Sequence, residues 1–74
     1  MTQVATATIA VTINGANRQV PGGGSLLALL THLELDPRAV VVEHNRAIVR
    51  RAALGDARVA EGDQIEIVHF VGGG

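Results

Sequence analysis

The group in this chain best placed to do chemistry is the carboxylate that ends Val71-Gly72-Gly73-Gly74. It follows the apolar run Ile65-Glu66-Ile67-Val68-His69-Phe70 with no polar spacer. Glycines carry no side chain to bar entry into a narrow channel. Three extended residues reach about 10 Å, enough to place one carboxylate in another protein's active site. A carboxylate is a poor electrophile, so a nucleophile attacks the Gly74 carbonyl carbon only after activation, most simply by ATP as an acyl adenylate with AMP as leaving group. Nothing in the chain can perform that activation, which is expected of a separate enzyme. The alternative is an inert chain end.

The remaining reactive side chains speak against a self-contained enzyme. With no Cys there is no disulfide, thiolate nucleophile or cysteine metal site. With no Lys there is no Schiff base and no side-chain amine for conjugation. Gly22-Gly23-Gly24-Ser25 lacks both the lysine and the spacing of a phosphate loop, and reads instead as a flexible entry to a capped helix. His32, His44 and His69 stand far apart, without a second ligand at metal spacing, so no metal site is expected. His69 is either an edge-strand histidine or a partner contact. Glu43, Glu61 and Asp63 have no visible acid-base partner. Arg50-Arg51 is the single basic cluster. It is a solvated pair or a docking point for an acidic partner surface, and too little to track nucleic acid. Phe70 and Val71 sit where a tail leaves the domain and are candidate partner contacts.

These groups must be positioned by one small domain. The 74 residues are 47% hydrophobic with one aromatic, and the net charge is −1. The core is therefore aliphatic. No uncharged stretch approaches the roughly 20 residues that span a bilayer, and Met-Thr-Gln-Val lacks a basic signal region. A cytoplasmic protein with no bound cofactor is expected.

Along the chain, 1–7 is an expected lead-in, 8–71 the folded domain and 72–74 the flexible tail. Ile9, Val11 and Ile13 alternate with Thr8, Ala10 and Thr12, predicting a strand with one buried face. Asn14-Gly15 favours a hairpin turn into a return strand over 17–20, stopped by Pro21. Ser25 is placed to cap a helix whose Leu26, Leu27, Leu29, Leu30 and Leu33 form its buried face and the main bulk of the core. Residues 34–37 end that helix, because the residue before a proline avoids helical geometry. Val40 to His44 read as a strand, Asn45-Arg46 as a turn and 47–49 as a short strand. Residues 50–54 suggest one helical turn, 57–59 an edge strand or loop, 61–63 a turn and 64–71 the last strand. In that strand Val68 and Phe70 oppose Ile65 and Ile67, so either both faces are covered or a bulge shifts the register near His69. The order predicts an α+β fold, a small mixed sheet with one main helix on one face. A β-grasp with the first and last strands as central parallel neighbours satisfies it.

Four stretches resemble the ThiS family of sulfur carriers in thiamine thiazole biosynthesis: Val11 to Gly15, Ser25 to Leu30, Val41 to Val49, and Glu61 to Gly74. The last is the most specific, and Val42-Glu43-His44-Asn45-Arg46 favours this family over its relatives. The resemblance implies a ubiquitin-like β-grasp fold and a carrier that is not an enzyme. Gly74 would be adenylated by an E1-like adenylyltransferase, ThiF, at the expense of ATP. It would become a thiocarboxylate with sulfur from a cysteine desulfurase route, and donate that sulfur to thiazole synthase, ThiG, with Gly72 and Gly73 threading into the partner. The seven leading residues and the third glycine depart from the usual pattern. Competing expectations are the small subunit of molybdopterin synthase or another thiocarboxylate carrier or ubiquitin-like modifier, and a β-grasp binding module with an inert tail.

Overall fold

The computed structural model describes residues 7–70; the tail positions Val71, Gly72, Gly73 and Gly74, and the expected lead-in apart from residue 7, lie outside the described residues. Strands β1 (Thr8–Ile13), β2 (Ala16–Pro21), β3 (Val40–His44), β4 (Ala47–Val49) and β5 (Gln64–His69) form one sheet in the order β2-β1-β5-β3-β4. Helix α1 (Leu26–His32) packs on one face. β1 and β5 are parallel neighbours, with Thr12 opposite Gln64 and Ile13 opposite Ile65, while the other neighbours are antiparallel. This is the expected β-grasp.

Both hairpins turn on two residues. Asn14 and Gly15 have φ of 52° and 83°, and Asn45 and Arg46 have φ of 51° and 76°. Two successive positive φ values match the twist of the flanking strands, and asparagine tolerates them at the first position. β2 extends one residue past the expected span at each end, to Ala16 and Pro21. Pro21 is tolerated because β2 is an edge strand.

Helix α1 begins where the Ser25 hydroxyl accepts a hydrogen bond from Ala28 N at 3.1 Å. It stops earlier than the proline alone requires. Glu34 enters the left-handed region at φ 62°, Glu34 N donates to Thr31 O at 3.0 Å, and Leu35 N donates to Leu30 O at 2.9 Å. These two reversed bonds satisfy the last carbonyls. Pro37 then opens a 3-10 turn, Pro37–Ala39, which periodicity did not indicate.

Among the described residues twelve hydrophobic side chains form the buried core, and only Leu26, Leu29 and Leu30 of them come from α1. The sheet, not the helix, supplies most of the bulk. Leu27 is 40% exposed and does not belong to the buried face, because it follows Leu26 directly and so lies about 100° around the helix from it. The 3-10 turn Arg51–Ala53 delivers Leu54 to the core. Residues 57–59 form no strand; a single bridge joins Arg58 to Ser25, and Val59 is buried.

Neither expectation for β5 holds. Its register against β3 runs unbroken from His69 opposite Val40 to Ile65 opposite His44, without a bulge. Val68 and Phe70 are 60% and 62% exposed, so the second face is uncovered. Among the described residues no helix is long and apolar enough to cross a membrane.

Candidate functional site

β5 is the element that would present the tail, and it is the central strand of the sheet. Ile65 and Ile67 anchor it in the core, β1 and β3 flank it, and Phe70 N still donates to Ala39 O at 2.9 Å. On the side away from α1, Val68 lies opposite Val41, and exposed Ile48 occupies the next strand. A shallow groove of about 330 Å³ opens here, lined by Arg38, Val41, Ile48, Arg50, Arg51 and Phe70 among others. The structure therefore brings Phe70 together with Arg50 and Arg51, three of the residues singled out from sequence. His69 points to the α1 side, in phase with Ile65 and Ile67, and stays exposed beyond the core. It does not join the groove. His32 lies on the exposed last turn of α1. Gly72, Gly73, Gly74 and Val71 lie outside the described residues.

The open face is polar in sign. At the Phe70 end, Arg50 and Arg51 are free of carboxylate partners among the described residues, whereas Arg38 is held by Asp36 at 3.1 Å. The Arg38 side chain, and then its backbone N–H, keep the Asp36 carboxyl below its ordinary value. Toward the start of β5, Glu43 and Glu66 stand directly opposite each other, a cross-strand pairing of like charges that weakens the sheet. Between them lies the apolar strip of Val41, Ile48 and Val68.

Asp63 does have a partner, contrary to expectation. His44 Nε2 lies 2.6 Å from Asp63 Oδ2, with both side chains largely buried. Ala60 N donates to the same oxygen at 2.8 Å, and Asn45 Nδ2 donates to Oδ1 at 3.2 Å. Burial alone would raise the Asp63 carboxyl; the donors His44, Ala60 N–H and Asn45 outweigh it and hold the group below its ordinary value. The cluster ties the β3–β4 turn to the turn before β5. It stands at the opposite end of β5 from the tail, about 20 Å away for six strand residues, and so is structural. Asn14 plays a similar part for the other hairpin. Its Oδ1 accepts from Ile67 N at 2.7 Å and its Nδ2 donates to Ile67 O at 3.1 Å. The side-chain amide thus replaces the backbone rung that β1 no longer provides.

Residues 11–74 match the sequence signature of the ThiS family. The chain belongs to that family. It is 39% identical to the sulfur carrier protein ThiS of Bacillus subtilis over 51 residues, covering 69% of this chain and 77% of that one. The crystal structure of the thiamine biosynthesis protein ThiS from Geobacter metallireducens superposes with a TM-score of 0.76 at 32% identity, covering 89% of this chain and all of that one. A thiazole synthase from Magnetococcus marinus is 44% identical over 62 residues, which is 84% of this chain and 19% of that protein. Another, from Paramagnetospirillum magneticum, is 42% identical over the same shares. The ThiS-family chain thus spans about a fifth of the length of the thiazole synthases it resembles.

Proposed function

We propose that the chain is a sulfur carrier whose Gly74 carboxylate is loaded with sulfur by other proteins and unloaded at a thiazole synthase. A ThiF-like E1 enzyme binds the open face. The Gly74 carboxylate attacks the α-phosphate of ATP there, releasing pyrophosphate. A persulfide sulfur supplied by a cysteine desulfurase then displaces AMP, and cleavage of the sulfur–sulfur bond by a thiol leaves the thiocarboxylate. The chain is the substrate in these steps and not an enzyme.

The observation that carries this reading is the family match, which continues through Gly74. Similarity to a fifth of two thiazole synthases favours that acceptor over molybdopterin synthase, since one polypeptide there combines a region like this chain with the synthase named. The uncovered strip of Ile48, Val68 and Phe70 supports a docking role. Apolar area left in water is stabilised only when a partner covers it, and the arginine and glutamate ends would fix the partner's orientation. In this reading Phe70, Arg50 and Arg51 contact the enzyme, Val71 starts the tail, and Gly72 and Gly73 thread it into the active site.

The test is intact mass spectrometry of the chain incubated with ATP and a ThiF-like enzyme, expected to show an AMP adduct. Adding the sulfur donor should convert that adduct to a product with one oxygen replaced by sulfur. Deleting Gly74 should abolish both species. Acquisition of sulfur by a chain whose terminus is blocked would overturn the mechanism.

A further inference from the structure

Hydrogen bonds along β5 alternate between its two neighbours, and the alternation leaves one rung open. Asn45 N donates to Gln64 O at 2.7 Å and Phe70 N donates to Ala39 O at 2.9 Å, so even-numbered residues of β5 face β3. Odd-numbered residues face β1: Ile65 O accepts from Asn14 N at 2.9 Å, and Ile67 is closed on both groups by the Asn14 side chain. The antiparallel pattern therefore aims His69 N–H and C=O toward the β1 side. There β1 has already ended at Ile13 and turned into β2. In the ladder with β3, His69 and Val40 form a non-hydrogen-bonded pair, and among the described residues no bond outside the ladders reaches either backbone group of His69.

We propose that His69 is the first rung of a docking edge, on which an extended segment of the activating enzyme adds to the sheet beside β5 and guides the tail into the active site. This rests on the sulfur-carrier reading above. A carbonyl of the enzyme segment accepts the His69 N–H and one of its amides donates to the His69 C=O, the pairing by which strands add to sheet edges. The occupant is an extended chain because the open groups are one N–H and one C=O in ladder geometry, the same pair that the Asn14 amide satisfies one rung earlier. The edge is continuous with the apolar strip through Phe70, so one partner can cover both. Asn14 also limits the hazard of an open edge beside exposed Val68 and Phe70, since it closes every rung on that side but the last. His69 thus acts through its backbone and not its imidazole.

Amide exchange at single residues tests this, read by exchange and quench of the isotopically labelled chain alone and saturated with a ThiF-like enzyme and ATP. In the free chain the Ile67 and Phe70 amides should be protected and the His69 amide should exchange fast. In the complex His69 should slow by about tenfold or more. A His69 amide that stays fast while the AMP adduct forms overturns the docking edge and leaves the carrier function standing. Absence of both adduct and complex overturns both. Concentration-dependent protection of His69 in the free chain would assign the edge to a second copy and also overturn the proposal. A second measurement compares H69P with H69A. Both remove the imidazole, but only proline removes the N–H, and no internal rung is lost. H69P should form adenylate about tenfold more slowly than H69A, and equal rates would refute the proposal. The exchange measurement stands even if H69P folds poorly.

Discussion

Replacing Asp63 by alanine removes the acceptor on which His44, Asn45 and Ala60 N–H converge. The 2.6 Å contact to His44 is the largest loss, because both side chains are less than one-fifth exposed and water cannot fully replace the carboxylate. Stranding a buried donor costs about 1 to 3 kcal/mol, and the two more exposed bonds contribute about 0.5 kcal/mol each. A total near 3 kcal/mol is a large share of the 4 to 11 kcal/mol typical of a domain this size, at about 0.05 to 0.15 kcal/mol per residue. Urea unfolding at pH 7 should show the midpoint falling by about 2 M with an unchanged slope, for a slope of about 1 to 1.5 kcal/mol/M. The pH dependence has a fixed sign. The folded-state value of Asp63 lies below its ordinary one, so its contribution is complete above the unfolded value near 3.9 and disappears as pH falls through the folded value. The gap between native chain and D63A should close below about pH 4. A loss under about 1 kcal/mol at pH 7, or a gap that persists in strong acid, would refute the assigned role. Adenylate formation by folded D63A should match that of the native chain, given the length of β5 between this cluster and the tail.

Substitutions at four further positions separate scaffold from surface. Asn14→Ala should cost about 2 kcal/mol in urea unfolding, by leaving Ile67 N–H and C=O without partners. Asn14→Gly should lose the same bonds while relieving the positive φ, so the difference between the two measures the relief of backbone strain less the extra unfolded-chain entropy of glycine. Ile48→Thr and Phe70→Asp should change stability by less than about 0.5 kcal/mol, since both side chains already face water and neither change sets a carboxylate opposite Glu43. Each should raise the concentration of ThiF-like enzyme needed for half-maximal adduct by tenfold or more, a shift of about 1.4 kcal/mol. Leu30→Ala, at a site 1% exposed, should lower stability by about 2 to 5 kcal/mol.

Elements that depend on local signals were legible in the sequence. Ser25 caps α1, Asn14-Gly15 and Asn45-Arg46 make the hairpin turns, and alternation placed Val11, Ile13, Ile65 and Ile67 on the buried face. What stayed hidden depends on partners distant in the chain. His44 and Asp63 lie 19 residues apart and Asn14 and Ile67 lie 53 apart, and no spacing rule joins such pairs. The stop of α1 falls at the start of the 34–37 stretch expected to end it, but its cause was read as Pro37, because Glu34, not glycine, takes the left-handed position. The open face was missed for another reason. Alternation shows which residues share a face, but not whether anything covers it, so Val68 and Phe70 read as a buried second face or a slipped register.

The two ends of β5 divide the work of the domain. In the turn before it and as far as its fourth residue, polar side chains from both hairpins fasten the strand: Asp63 through His44 and Asn45, and Ile67 through Asn14. At its end, Val68 and Phe70 face water and His69 meets no backbone partner among the described residues. Stability is thus concentrated where no partner needs to reach, and unsatisfied surface where one must. In the docking proposed above, the new bonds would replace water and not the sheet's own rungs, so a partner could engage this end without loosening the core. D63A and H69P should accordingly fail in opposite ways: the first in urea with its chemistry intact, the second in its chemistry with the urea midpoint held.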